Sequence, residues 1–478
     1  MLKNTVVAAA MGAALAAPMA HAADKKEQKE LAEIRAEIRQ MKEAYEARLQ
    51  ALEQKLQAAQ ADTAAAKAQV AALAAAPAAP AAPAADAAPA VAAAEPAAAP
   101  TNTGSANTPS NIFNPNISMI LGGTLQNLKQ DPNQYRLQGF VPPGGEVGPG
   151  KRGFNLGESE LTMAANIDPQ FSGQLTFSLT GDDTVSVEEA FVQTRELSNG
   201  MNLKFGRFLS SIGYLNSQHA HTWDFVDAPL AYQAFLGGQY KPDGVQAKWL
   251  APIDQFLELG MEAGSGSTFP GNDRNKNGAG SVAVFAHLGD DIGDAASYRA
   301  GVSYLHTGAE QRSFQDNGLD NAFSGKSNTW IADAIYKWAP NGNPTNTNFK
   351  LQGEYFHRKE SGTLDTALAT PDAASGIYRS AQSGWYLQSV YQFMPTWRTG
   401  VRYDRLSSGT TEIGVAANLP ILDAYNPSRT SFMVDYSPSE FSRLRLQLAR
   451  DKSRPGVSDN QIFLQYIMSL GTHAAHSF

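Results

Sequence analysis

The 478-residue chain carries 46 acidic against 38 basic side chains, and its net charge of −8 argues against nucleic acid as a partner. It has no cysteine, which excludes disulfides, thiolate catalysis, thiolate metal sites and a lipid-bearing N-terminal cysteine. Mean hydropathy is −0.31 and no apolar run after the first 25 residues is long enough to cross a bilayer as a helix, a test that half-apolar β-strands escape.

Residues 1–22 read as an export signal: Lys3 supplies the positive start, Val6 to Ala17 the apolar core, and Ala20-His21-Ala22 a cleavage box. Residues 23–75 read as a coiled coil. Leu31, Ile34, Ile38, Met41 and Tyr45, then Leu49, Leu52 and Leu56, recur in steps of three and four with one stutter. So narrow an apolar stripe needs a second helix to cover it, so self-association is expected. Residues 76–110 are an Ala/Pro-rich linker whose spaced prolines favour extended, polyproline-like chain.

From residue 111 to 478 the period changes to two, and an all-β transmembrane barrel of about 16 antiparallel strands is expected. Expected strands include Phe154–Ile167, Leu203–Phe208, Ser297–His306, Thr329–Trp338, Asn348–Arg358, Gly384–Phe393 and Trp397–Leu406. Tight connections such as "SNG", "MPT" and "SPSE" alternate with longer stretches, among them Lys129–Gly153, Leu209–Asp243, Thr307–Ser327, Lys359–Ser383 and Ser407–Ser428. Short turns on one rim and long loops on the other are the mark of an outer-membrane barrel, with both chain ends on the periplasmic side. The coiled coil is therefore expected in the periplasm of a Gram-negative cell, and the wall in contact with outer-membrane lipid and lipopolysaccharide.

Alternation assigns the faces. Leu444, Leu446 and Leu448 oppose Arg443, Arg445 and Gln447, and Val401 and Tyr403 oppose Arg402 and Asp404. Aromatics gather beside the turns, as at Phe393, Trp397, Tyr436 and Phe441, the pattern of an interfacial girdle. The chain ends on Phe478 after an alternating segment that fades near Leu470.

The heptads from Leu31 to Leu73, the Ala/Pro linker, the strand count, "KFGRF" at Lys204–Phe208 before a long insertion, and the terminal Phe478 together resemble the DcaP-like porins and, more distantly, the phosphate-selective porins. The resemblance implies a homotrimer with passive, selective uptake of small, often anionic, solutes. The insertion departs from the basic ladder of the phosphate-selective members, which puts phosphate as the substrate in doubt.

That insertion, "NSQHAHTWDFVD", supplies the candidate constriction: His219, His221, Asp224 and Asp227 as polar groups, with Trp223, Phe225 and Tyr232 as packing anchors. Expected inward-facing acids are Glu158, Glu160, Glu189, Glu258 and Glu262; expected pore-lining bases are Arg299, Lys350, Arg398, Arg402, Arg443 and Arg445. Acids come early and bases late, so a closed barrel sets them in different sectors. They then either create a field across the lumen or pair with one another. His219 and His221 offer a chelating pair for zinc, but loop histidines hydrogen-bonded to the wall are the preferred reading, and no metal or other cofactor is expected. No G-x-S-x-G, H-E-x-x-H or Walker motif is present, and the chain is not expected to be an enzyme.

Three functions fit: a diffusion channel, an envelope tether reaching peptidoglycan through the coiled coil, and an energy-coupled uptake protein like the TonB-dependent receptors. The last lacks a plug domain in this sequence.

Overall fold

The structure, a computed structural model, describes residues 115–471 apart from 145, 146, 182, 183, 196 and 417. The expected signal, coiled coil, linker and terminal Phe478 lie outside the described residues.

Seventeen strand segments follow one another: β1 (Asn116–Leu128), β2 (Gly153–Leu156), β3 (Ser159–Asn166), β4 (Phe171–Leu179), β5 (Val185–Thr194), β6 (Met201–Arg207), β7 (Asp243–Leu250), β8 (Phe256–Gly264) and β9 (Ser281–Ile292) in the first half. The second half holds β10 (Ala296–Asp316), β11 (Leu319–Trp338), β12 (Asn348–Thr366), β13 (Ala374–Met394), β14 (Trp397–Ile413), β15 (Ser428–Ser439), β16 (Ser442–Lys452) and β17 (Asp459–Gly471). A short helix, α1 (Leu230–Leu236), lies in the connection between β6 and β7. Apart from β2 and β3, which both pair with β1, each strand pairs antiparallel with its sequence neighbour. β1 closes the cylinder, meeting β17 on one edge and both β2 and β3 on the other. β2 and β3 are thus one interrupted stave, and the barrel has 16 staves. The interruption has a steric cause. A Cβ on Gly157 would stand 3.0 Å from the backbone carbon of Gly122 and the nitrogen of Gly123, so any side chain there would push the β1 backbone back by a few tenths of an ångström.

The outer face is apolar. Leu444, Leu446 and Leu448 stay 44–46 % exposed on β16, while Arg445 and Gln447 between them are 1 % and 0 % exposed. Such a surface is stable in lipid rather than water, because an apolar side chain gains burial there and the strand's polar face turns inward. Trp397 and Tyr436 touch at 4.8 Å between ring centroids beside the short turns.

Strand lengths depart from the sequence expectation. β10 to β13 run 19 to 21 residues, against roughly 9–11 needed to cross a bilayer. The expected loop Thr307–Ser327 is mostly strand, closed by a tight turn at Asn317-Gly318 whose φ angles are 52° and 75°. That is the Asn-Gly signature of a two-residue hairpin. The expected loop Lys359–Ser383 shrinks to residues 367–373, and Ser407–Ser428 loses its first part to β14. Beyond the bilayer the outer face is wet and its apolar row ends, while the backbone ladder continues and the inner face still buries Phe314, Phe323, Leu364 and Tyr378.

The interior holds a core of its own. Every residue of α1 is buried, and the helix packs on the inner faces of β12, β13 and β14. Phe235 stacks on Phe356 at 5.8 Å, and Tyr232 meets the same ring edge-on at 5.1 Å. Phe140, from the connection between β1 and β2, packs edge-on against Phe235 at 5.7 Å.

Candidate constriction site

Residues 208–242, between β6 and β7, fold into the lumen and are held by wall carboxylates that accept from the loop backbone. Glu354 on β12 is the central anchor. It accepts from the N–H of Tyr214 at 3.1 Å and of Leu215 at 3.0 Å, from the Tyr232 hydroxyl at 2.9 Å, and from Tyr386 at 2.6 Å. Glu262 accepts from the Ser210 hydroxyl at 2.5 Å and the Ser211 N–H at 3.0 Å. Glu189 accepts from Leu209 N–H at 2.9 Å, and Asp404 from Leu230 N–H at 2.9 Å. A loop outside regular structure must satisfy its N–H groups somewhere, and charged acceptors do so with the stronger kind of hydrogen bond.

The loop's side chains are matched to the sector each one faces. On the early staves, His219 Nδ1 lies 3.1 Å from Glu160 and 3.1 Å from Glu188, and its Nε2 lies 3.1 Å from Glu189. His221 Nδ1 is 2.7 Å from Glu160. Glu158 is bonded by the Ser178 hydroxyl at 3.3 Å. On the late staves, Asp224 takes Lys350 at 2.5 Å and Arg398 at 3.3 Å, and Asp227 takes Arg429 at 2.7 Å and Arg402 at 2.9 Å. Asp224 and Asp227 lie in the loop, between the spanning strands. Burial alone would raise both carboxyls, but the facing cations, Lys350 and Arg398 for one and Arg429 and Arg402 for the other, hold them below the usual range.

The other expected residues are also placed. Arg398 and Arg445 share Asp435, at 2.5 and 2.8 Å, and Arg443 stands 4.0 Å from it. Arg445 also donates to the Trp223 carbonyl at 2.7 Å. Arg402 and Arg445 point inward but are 2 % and 1 % exposed, sealed beneath the loop rather than facing open lumen. Asp224, at 4 % exposed, is likewise closed off by its partners. Lys350, Arg398 and Arg443 remain partly exposed. Arg299 lies over the Tyr214 ring at 5.2 Å. Glu258 binds Lys248 at 2.9 Å and His287 at 3.1 Å, away from the loop histidines. Trp223 donates from its indole to the Gln218 carbonyl at 3.0 Å, and Phe225 packs with Val390 and Met433 beneath Arg402.

Several members escaped sequence reasoning. Glu188 follows Val187 and precedes Glu189, so strict alternation turns only one of the two acids inward. A bulge on β5, where Thr176 faces Glu189 but Phe177 faces Val187, turns both in. Glu354, Arg429 and Asp435 sit on correctly alternating strands, yet nothing local distinguishes them from other inward polar residues.

Fold and site define a closed transmembrane β-barrel narrowed by a loop folded into its lumen. No family model matches the sequence. The chain is 32 % identical over 351 residues to a protein of Aquifex aeolicus (strain VF5) described as "Uncharacterized protein", spanning 69 % of this chain and 71 % of that one, and it belongs to the same family. Among solved structures it is similar in fold to a loop L8 deletion mutant of the outer membrane protein OmpT of Vibrio cholerae (TM-score 0.47, 12 % identity, 75 % of this chain and 99 % of the other). It is similar also to an anion-selective porin from Comamonas acidovorans (0.47, 10 %, 75 % and 99 %) and to the outer membrane channel DcaP of Acinetobacter baumannii (0.44, 12 %, 74 % and 97 %).

Proposed function

We propose that this chain is an outer-membrane porin for passive, selective diffusion of small hydrophilic solutes, with a preference for anions. The observation that carries the preference is one cluster beside the inserted loop. Four cations, Lys350, Arg398, Arg443 and Arg445, share two carboxylates, Asp224 and Asp435, and three of the four cations keep partial exposure. A surplus of fixed positive charge in a narrow, low-dielectric passage favours anions and disfavours cations. The opposite sector sets four carboxylates against two imidazoles, with Lys204 and Lys241 near Glu189 and Glu158, so a solute with separated charges meets a different polarity on each side of the passage.

Self-association fits the same reading. β6 and β7 have seven and eight residues, fewer than a strand needs to cross lipid alone, which supports a wall covered by a second copy. The sequence resemblance makes the expected assembly a homotrimer.

The test is the reversal potential of the purified protein in a planar bilayer under a salt gradient. Anion preference is expected, falling toward no preference in the Lys350→Gln/Arg443→Gln double variant. Cation preference that the double variant leaves unchanged would overturn the reading.

A further inference from the structure

The two loop histidines and Glu160 bring nitrogen and oxygen donors together, with Glu188 beside His219. Ligand atoms of Glu160, His219 and His221 all lie within 4.8 Å of one another. The imidazole rings stack with centroids 5.7 Å apart and planes inclined by 29°, so both Nδ1 atoms turn toward Glu160. Glu188 offers a fourth donor 3.1 Å from His219 Nδ1. Tetrahedral zinc, with bonds of about 2.0–2.2 Å, sets its donors roughly 3.3–3.5 Å apart, so the histidine–carboxylate contacts of 2.7–3.1 Å need only a small outward adjustment.

We propose that His219 Nδ1, His221 Nδ1 and the carboxylates of Glu160 and Glu188 form a site for a divalent transition-metal ion, with zinc the best match to the donor set. Two imidazole nitrogens select against calcium and magnesium, which take oxygen ligands. Three observations beyond the donor set support the site. The far nitrogen of His219 faces Glu189 at 3.1 Å, the outer carboxylate that fixes the ring of a metal-bound histidine. Glu189 is itself held by the N–H of Leu209 at 2.9 Å. Glu158 also lies within ligating distance of Glu160 and Glu188, so the spot gathers carboxylates that a dication would balance. The donors are screened from bulk water, with His221 at 5 % and Glu160 and Glu188 at 1 % exposure, while the His219 side chain keeps 20 % of its surface on the entry side of the cluster. The ion would join three separate parts of the chain, β3, β5 and the inserted loop, and so staple the loop to the acidic wall. The site is independent of which solute passes.

The experiment uses the untagged full-length protein, folded in detergent and stripped with a chelator. Zinc is titrated calorimetrically and counted per chain after desalting, and cobalt(II) is added separately to read coordination from its visible spectrum. One zinc per chain and an intense tetrahedral cobalt spectrum are expected, with excess calcium or magnesium failing to displace either. The His219→Gln/His221→Gln double variant should lose the zinc, and Glu189→Gln should bind it about 10–100-fold more weakly. Folding of each variant is checked by the heat-dependent gel mobility of the barrel. Should the double variant not fold, His219→Gln alone gives the same reading. Wild-type protein that holds no zinc after desalting, zinc displaced by equal calcium, a weak octahedral cobalt spectrum, or a folded histidine variant that keeps the full zinc content would each overturn the proposal.

Discussion

The early and late sectors of the barrel meet the same loop in opposite ways. On β3 and β5 the wall is acidic and the loop answers with His219 and His221; on β12 to β16 the wall is basic and the loop answers with Asp224 and Asp227. On the basic side the contact leaves the wall's own charge in surplus. The loop therefore neutralises most of each sector, but it does not erase the difference between them. Paired charges hold the loop in place, and what remains is left for solute or ion. The two sectors also differ in chemistry. Arginine cannot give up its proton and binds carboxylate as a fixed fork, whereas imidazole can exchange a proton for a metal.

The largest effect is expected where the loop is held between the sectors. Glu354→Leu leaves two buried backbone N–H groups and two tyrosine hydroxyls without their acceptor. A loss of about 3–5 kcal/mol of stability in denaturant unfolding, together with a larger single-channel conductance, is expected. Conductance and stability equal to wild type would show that the loop is held elsewhere. Next, Asp227→Ala takes the nearest carboxylate from both Arg402 and Arg429 and leaves them only Asp404 and Asp451 beneath the loop, at a cost of about 3 kcal/mol. Glu160→Ala takes one of three carboxylates from His219 and the 2.7 Å carboxylate contact from His221, and its smaller cost, about 1–3 kcal/mol, follows because His219 keeps Glu188 and Glu189 and a histidine can become neutral. Equal costs in the two variants would remove the chemical distinction between the sectors. A smaller effect is expected from Ser178→Ala, which deletes one neutral donor to Glu158 and should lower stability by about 0.5–1 kcal/mol without changing ion preference.

Much of the wall was legible because the membrane imposes a pattern on single strands. Leu444, Leu446 and Leu448 must face lipid, so Arg443, Arg445 and Gln447 must face inward whatever surrounds them. The same rule found β14 and β12, and it failed beyond the bilayer, where β10 to β13 continue without a lipid-facing apolar row. There the turn itself was the better signal, since Asn317-Gly318 suits a two-residue hairpin irrespective of the flanking pattern. The inserted loop was legible as an interruption of alternation, rich in aromatics and carrying histidines and aspartates. Its partners were not, because 30 residues separate His219 from Glu189 and 174 separate Asp224 from Arg398.

By itself the sequence determined that alternating strands form a barrel and that one aromatic stretch leaves the wall, since period and composition are local properties. Only the tertiary structure decided that Arg402 and Arg445 are covered while Arg443 and Lys350 keep some exposure, and that a bulge on β5 turns Glu188 toward His219. Those outcomes depend on how a closed cylinder and its inward loop bring distant residues together, and pairing across that distance is set by register and packing rather than by any one segment.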